Sequence, residues 1–149
     1  MRIFVFVLLA VGTFVGSGWA QEKQAIAAPG SLPGLPFSSA VSVGDLLFLS
    51  GQIGVKPGTR DLVPGGIGAE TRQTMENIKS VLEYAGSSLD RVVKCTIFLA
   101  DMGDYAAMNT VYATFFPEDP PARSAMGASG LAFNAAVEIE CIALAGAAR

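Results

Sequence analysis

Apolar residues recur along this chain with two periods, and the switch from one to the other lays out its elements. Residues 38–43 and 46–50 are short apolar runs on either side of Gly44-Asp45, a two-residue hairpin signal. The second run, Leu46-Leu47-Phe48-Leu49, is apolar on both faces. A turn at Lys56-Pro57-Gly58-Thr59 and a stop at Pro64-Gly65-Gly66 close this region. From 67 to 85 the period lengthens. Thr71, Met75, Ile78, Leu82 and Ala85 fall on one helical face, and Arg72, Glu76, Lys79 and Glu83 make a solvated stripe away from it. Gly86 suits a helix C-terminus. Period two returns over 91–100, with Val93, Cys95, Ile97 and Leu99 on one face and Val92, Lys94, Thr96 and Phe98 on the other. Asp101 can cap a second helix running to about 116, with Tyr105, Met108, Tyr112 and Phe115 on its buried side. The last strands are 123–128 and 137–144, joined by a Gly- and Ala-rich loop over 129–136. The order is β-β-α-β-α-β-β, an α+β single domain with both helices on one face of the sheet. The other face stays apolar at 46–49 and in the last strand, which points to a symmetric homo-oligomer.

The first twenty residues stand apart from this scheme. Arg2 precedes an apolar run over 3–15, and Gly18-Trp19-Ala20 is a small-x-small cleavage signal before Gln21. Residues 1–20 read as a signal peptide, with a periplasmic or secreted location after cleavage near Ala20. The run is shorter than the roughly 20 residues that span a bilayer, so a retained anchor is the runner-up reading, and no stable membrane anchor is expected after cleavage. Residues 21–36, rich in Ala, Pro and Gly, read as a loose N-terminal arm, and residues 37–149 as the folded domain.

Composition then narrows the chemistry. The chain carries a net charge of −3, which becomes more negative when Arg2 leaves with the leader. No nucleic-acid partner is expected of an acidic domain without a basic run. There is no histidine, which removes Ser-His-Asp triads, Cys-His dyads and His-based metal sites. Neither a metal nor a cofactor is expected. Cys95 and Cys141 each lie in an apolar strand-like run; pairing in an oxidising compartment is the alternative, but they read as buried core thiols, because side-by-side strands give poor disulfide geometry.

What remains gathers in two stretches, Pro120-Pro121-Ala122-Arg123-Ser124 and Val137-Glu138-Ile139-Glu140-Cys141. The prolines stiffen the approach to Arg123. Glu138 and Glu140 share one strand face, and a carboxylate pair in so apolar a strand needs a partner. Arginine offers a planar fork for a carboxylate but cannot serve as a base. A glutamate can direct or deprotonate water, and a nearby arginine would keep Glu138 ionised. Together they describe hydrolysis of a small electrophilic substrate that bears a carboxylate. The blander readings pair Arg123 with Glu118 or Asp119, and Glu138 with Lys94 or Arg123. Glu140 reads as structural or interfacial. Ser50, with no base beside it, reads as a strand end, and Asn109 serves equally as a helix-packing hydrogen bonder.

Ser50-Gly51-Gln52-Ile53, TMENIKSVL over 74–82, Val93-Lys94-Cys95-Thr96-Ile97-Phe98, Asn109-x-x-Tyr112-x-x-Phe115-Phe116, Pro121-Ala122-Arg123-Ser124 and Val137-Glu138-Ile139-Glu140 together resemble the RidA (YjgF) family of enamine/imine deaminases. The resemblance spans about 37–144. It implies a chorismate-mutase-like fold and a homotrimer whose sheets form a central barrel, with active sites in clefts between subunits. It also implies hydrolysis of 2-iminobutanoate-type and 2-iminopropanoate-type intermediates to 2-oxo acids and ammonium without a cofactor. The family's carboxylate-binding arginine falls on Arg123 and its water-directing glutamate on Glu138. Phe37, Ser50, Gly51, Asn109 and Ala125 fall at substrate-binding positions. Phe37 stands where many members carry tyrosine, and Ala125 where many carry cysteine. A non-catalytic trimer that binds small carboxylates is the alternative, and ribonuclease activity, a label some members carry, is opposed by the acidic charge.

Overall fold

A computed structural model describes residues 22–31 and 33–146. The proposed leader lies outside the described residues. Among the described residues no helix is long and apolar enough to cross a membrane.

One mixed sheet carries the domain. Its strands are β1 (Lys23–Ile26), β2 (Ala40–Val43), β3 (Leu46–Leu49), β4 (Gln52–Ile53), β5 (Val92–Leu99), β6 (Ala122–Gly127) and β7 (Val137–Leu144). They lie in the order β1-β2-β3-β7-β5-β6, with β4 also pairing β7. Among the described strands only β5 and β6 run parallel, and the chain between them supplies the crossover that a parallel pair needs. Helices α1 (Gly66–Tyr84) and α2 (Tyr105–Tyr112) fill the two long connections. This is the chorismate-mutase-like α+β fold, two helices on a mixed sheet.

The period-3.6 stripe of α1 is the core stripe: Thr71, Met75, Ile78 and Leu82 are fully buried. They meet the alternate residues Cys95, Ile97 and Leu99 of β5 and Val137, Ile139 and Cys141 of β7. Gly86, at φ 77°, takes the left-handed turn that ends α1, and Ser87 N–H then donates to the Leu82 carbonyl at 2.8 Å. The Gly44-Asp45 hairpin closes with Val43 opposite Leu46.

Four features depart from the sequence reading. Part of the Ala- and Pro-rich arm is strand: β1 pairs antiparallel with β2 and adds an edge to the sheet. Val92 is buried and Val93 exposed, the reverse of the simple alternation, because the β5–β7 register shifts between Val92 and Lys94. Such a bulge inserts a residue and resets the parity. The second helix is a single α-helical stretch of eight residues flanked by tighter 3-10 turns over 102–104 and 113–115, with the Asp101 carboxylate accepting from Gly103 N–H at 2.7 Å. The expectation of free core thiols also fails. Cys95 and Cys141 are both buried, as expected, but they form a disulfide. They stand directly opposite each other on antiparallel strands with Cα atoms 4.1 Å apart. At that separation both side chains rise from the same face, so the sulfurs meet.

The face away from the helices is not covered. Leu46, Phe48, Met126 and Leu144 are exposed there, each about 40–46% accessible.

Candidate active site

Strand parity puts the two principal residues on different faces. Arg123 stands opposite Cys95 and shares the helix-covered face, whereas Glu138 stands opposite Phe98 and shares the uncovered one. Each has its own cavity, and the two cavities have no lining residue in common.

Arg123 is held by α2. One guanidinium nitrogen donates to Asn109 Oδ1 at 2.6 Å and another to the Tyr105 hydroxyl at 3.0 Å. The guanidinium carbon lies 5.0 Å from the Tyr112 ring centroid and 5.6 Å from that of Tyr105, within cation–π range. Two of five N–H donors are thereby occupied, leaving three for a ligand. Asn109, Tyr112, Phe116, Pro120, Pro121 and Arg123 line a cavity of about 460 Å³. Charge and burial leave marks on both phenols. Burial pushes Tyr112 up to about 12 against the opposing pull of Arg123, and its hydroxyl has no hydrogen-bond partner. Asn109, and after it the Arg123 charge, holds Tyr105 below its ordinary value. The alternative pairing of Arg123 with Glu118 or Asp119 does not occur; the ion pair among the described residues is Lys79–Glu83 on α1.

Glu138 sits over Gly51. A Cβ at position 51 would collide with the Glu138 carboxylate, its Cδ only 2.9 Å away, so the glycine is what allows this approach. The surrounding cavity, about 310 Å³, runs from Glu138, Gly51, Phe37 and Phe133 to Asn77 and Val81 of α1. The arginine expected beside Glu138 is not there within one chain, since Arg123 lies on the other face of the sheet. Burial first, and the Glu140 charge second, raise the Glu138 carboxyl above its ordinary range. No salt bridge ties it to Lys94 or Arg123.

The remaining sequence-expected positions divide between the halves. Asn109 belongs to the Arg123 half, and Phe37 and Gly51 to the Glu138 half. Ala125, two residues beyond Arg123 on β6, packs partly against the core. The Ser50 hydroxyl donates to the Ser38 carbonyl at 2.6 Å, so it serves the strand end. Sequence reasoning missed Tyr105 and Tyr112 as site residues, taking both for core. Tyr105 is 37% exposed, since it turns toward Arg123. The signal was in the spacing, for 105, 109 and 112 are i, i+4 and i+7 on one helical stripe. Phe133, in an irregular loop, carried no periodic signal.

The family described as endoribonuclease L-PSP matches residues 26–145. A RutC family protein of Pyrococcus horikoshii is 49% identical over 72% of this chain and 86% of its own. A mouse protein named 2-iminobutanoate/2-iminopropanoate deaminase is 41% identical over 74% of this chain and 82% of its own. Among solved structures, E. coli TdcF with bound serine superposes with a TM-score of 0.74 at 33% identity, covering 81% of this chain and 98% of that one.

Proposed function

The chain belongs to the endoribonuclease L-PSP family, which contains the RidA and YjgF proteins, and from that premise we propose that it hydrolyses reactive imines of amino acids. Arg123 binds the substrate carboxylate. Glu138 takes a proton from water as the water oxygen bonds to the imine carbon and passes it to nitrogen; the C–N bond then breaks as the new hydroxyl becomes the carbonyl, and the hydroxyl proton goes to the departing ammonia. An iminium acid and one water thus give a 2-oxo acid and one ammonium ion; an enamine is first protonated at carbon to reach the imine. A carboxyl with a raised pKa suits this cycle, because proton carriers work best near the operating pH.

One observation carries the reading: Arg123 and Glu138 stand on opposite faces of one sheet, each in a cavity that shares no lining residue with the other. A guanidinium fixed in orientation waits in one and an unpaired, elevated carboxyl in the other. A second copy laid against Leu46, Phe48, Met126 and Leu144 would cover that exposed face, and the proposal sets Arg123 of one protomer beside Glu138 of the next in a closed ring. The proposal is therefore a homotrimer with its sites at the seams. Two relatives, of mouse and goat, are named imine deaminases, and the serine-bound TdcF structure is of a relative holding a small amino acid. Export through residues 1–20 is part of the proposal, with the activity outside the cytoplasm on a carboxylate substrate and no nucleic-acid partner.

Release of 2-oxo acid from freshly generated imine, compared between wild type and Arg123→Ala, tests it. The expected loss is at least about tenfold, since a charge-assisted contact exceeds roughly 1.4 kcal/mol. Equal rates remove the reading. A wild type that turns over no imine yet binds 2-oxo acids through Arg123 is a non-catalytic carboxylate binder.

A further inference from the structure

We infer that Phe133, which lines the Glu138 cavity together with Phe37, selects imines that carry a large apolar side chain. The inference rests on the deaminase reading and names the substrate class of that same site. The loop over 129–136 is Gly- and Ala-rich, and Phe133 is the one aromatic in it. Its backbone lies at φ 57°, and Asn134 follows at φ 59°, a left-handed conformation that aromatic residues rarely adopt. That backbone is pinned from both sides. Asn134 N–H donates to the Leu131 carbonyl at 3.2 Å and Ala135 N–H to the Ala132 carbonyl at 3.1 Å. Ala136 N–H donates to the buried Glu70 carboxylate at 2.8 Å, and Ala135 is fully buried. The ring itself is 52% exposed, and that of Phe37 is 58% exposed. A strained backbone, anchored to the core on one side, thus holds an aromatic ring out of the core and against a cavity.

What fills the cavity follows from the substrate's own geometry. The imine carbon bears a carboxylate, a nitrogen and a side chain. With the carboxylate on Arg123 and water at Glu138, the side chain is the substituent left to occupy the Glu138 cavity. Leu35, Phe37, Ile53, Val55, Val81 and Phe133 line it, and its volume of about 310 Å³ is that of a small-molecule site. Lys56 is the cation on that lining and is exposed, so an acidic side chain is the competing occupant.

The test generates imines in place with an L-amino-acid oxidase from alanine, leucine, phenylalanine and glutamate, and reads kcat/KM for wild type, Phe133→Ala and Phe133→Leu. Wild type is expected to favour the phenylalanine- and leucine-derived imines over the alanine-derived one by about tenfold or more, the scale of a few methylenes in an apolar pocket. Phe133→Ala should lower the phenylalanine-to-alanine ratio by about tenfold through KM, and Phe133→Leu should recover part of it. An equal loss on every substrate, or a wild type that prefers the glutamate-derived imine, overturns the inference. If wild type turns over none of the four, the deaminase reading falls. Calorimetric binding of phenylpyruvate against pyruvate then decides: a wild-type preference erased by Phe133→Ala sustains the selectivity, and equal affinities overturn it.

Discussion

The Arg123 and Glu138 halves of this site are built on opposite principles. Arg123 is immobilised, with two donors committed to Asn109 and Tyr105 and two aromatic rings against its plane. Glu138 has no charged partner; its setting is the absence of a side chain at Gly51 and the desolvation that follows. A group that recognises substrate gains from having its orientation set before the ligand arrives, because less freedom is lost on binding. A group that moves a proton gains from an environment that leaves its two protonation states close in energy. On the proposed function the difference between the halves is a division of labour, and it can be broken experimentally from either side.

The largest effect should come from the proton carrier. Glu138→Gln keeps shape and removes the exchangeable charge, and the expected loss in kcat is about 10²–10⁴-fold, the range for a positioned acid–base group. The same variant tests whether the halves come from different protomers. Glu138→Gln and Arg123→Ala, mixed, unfolded together and refolded, should regain activity above the sum of the two variants measured alone. In a closed ring with random mixing, about one seam in four pairs an intact Arg123 with an intact Glu138, so recovery to about a quarter of wild type is expected. No recovery would mean that both residues serve one protomer's site, against the separation of the two faces.

A smaller and more diagnostic effect concerns pH. The working form of Glu138 is the carboxylate, so kcat/KM should fall as pH drops through its raised pKa. Glu140→Gln removes the second of the two causes of that rise, and the acidic limb should move to lower pH, modestly because burial is the larger cause. Folding runs the other way. With the folded-state pKa above the unfolded one, the stability Glu138 contributes is full below the unfolded value and is lost as pH rises through the folded one. Glu138→Gln, neutral throughout, should lose less stability across that window in thermal melts. A limb that stays put in Glu140→Gln would assign the titration to another group.

How far the sequence could be read depended on whether a feature is local to one element. The α1 stripe, the Gly44-Asp45 hairpin and the shared face of Glu138 and Glu140 are periodicities within single elements, and all three were legible. Relations between strands were not. Alternation tells which residues of one strand share a face, but comparing Arg123 on β6 with Glu138 on β7 needs the register through β5. The same missing register hid the meeting of Cys95 with Cys141, and the shift between Val92 and Lys94 hid which valine is buried. Strand β1 escaped because Ala- and Pro-rich sequence has weak β-propensity; pairing with β2 overrides it. Residues 50–51 were recognised as a site by resemblance, but the physical reason for Gly51 emerges only from the carboxylate lying over it.

Tyr105 gives the finest test of the comparison. Its hydroxyl accepts from Arg123 at 3.0 Å, yet the ring is partly exposed and Asn109 holds the guanidinium independently at 2.6 Å. Tyr105→Phe keeps the ring and removes only the hydroxyl, so Arg123 loses one of its two polar anchors. A hydrogen bond this open to water is weak, so the expected effect is a rise in KM of no more than about a few-fold. Because recognition and proton transfer are divided between the halves, kcat and the acidic pH limb set by Glu138 should hardly move. A large fall in kcat with unchanged KM would place the Tyr105 hydroxyl in the chemical step itself, and the division of labour drawn between the two halves would have to be abandoned.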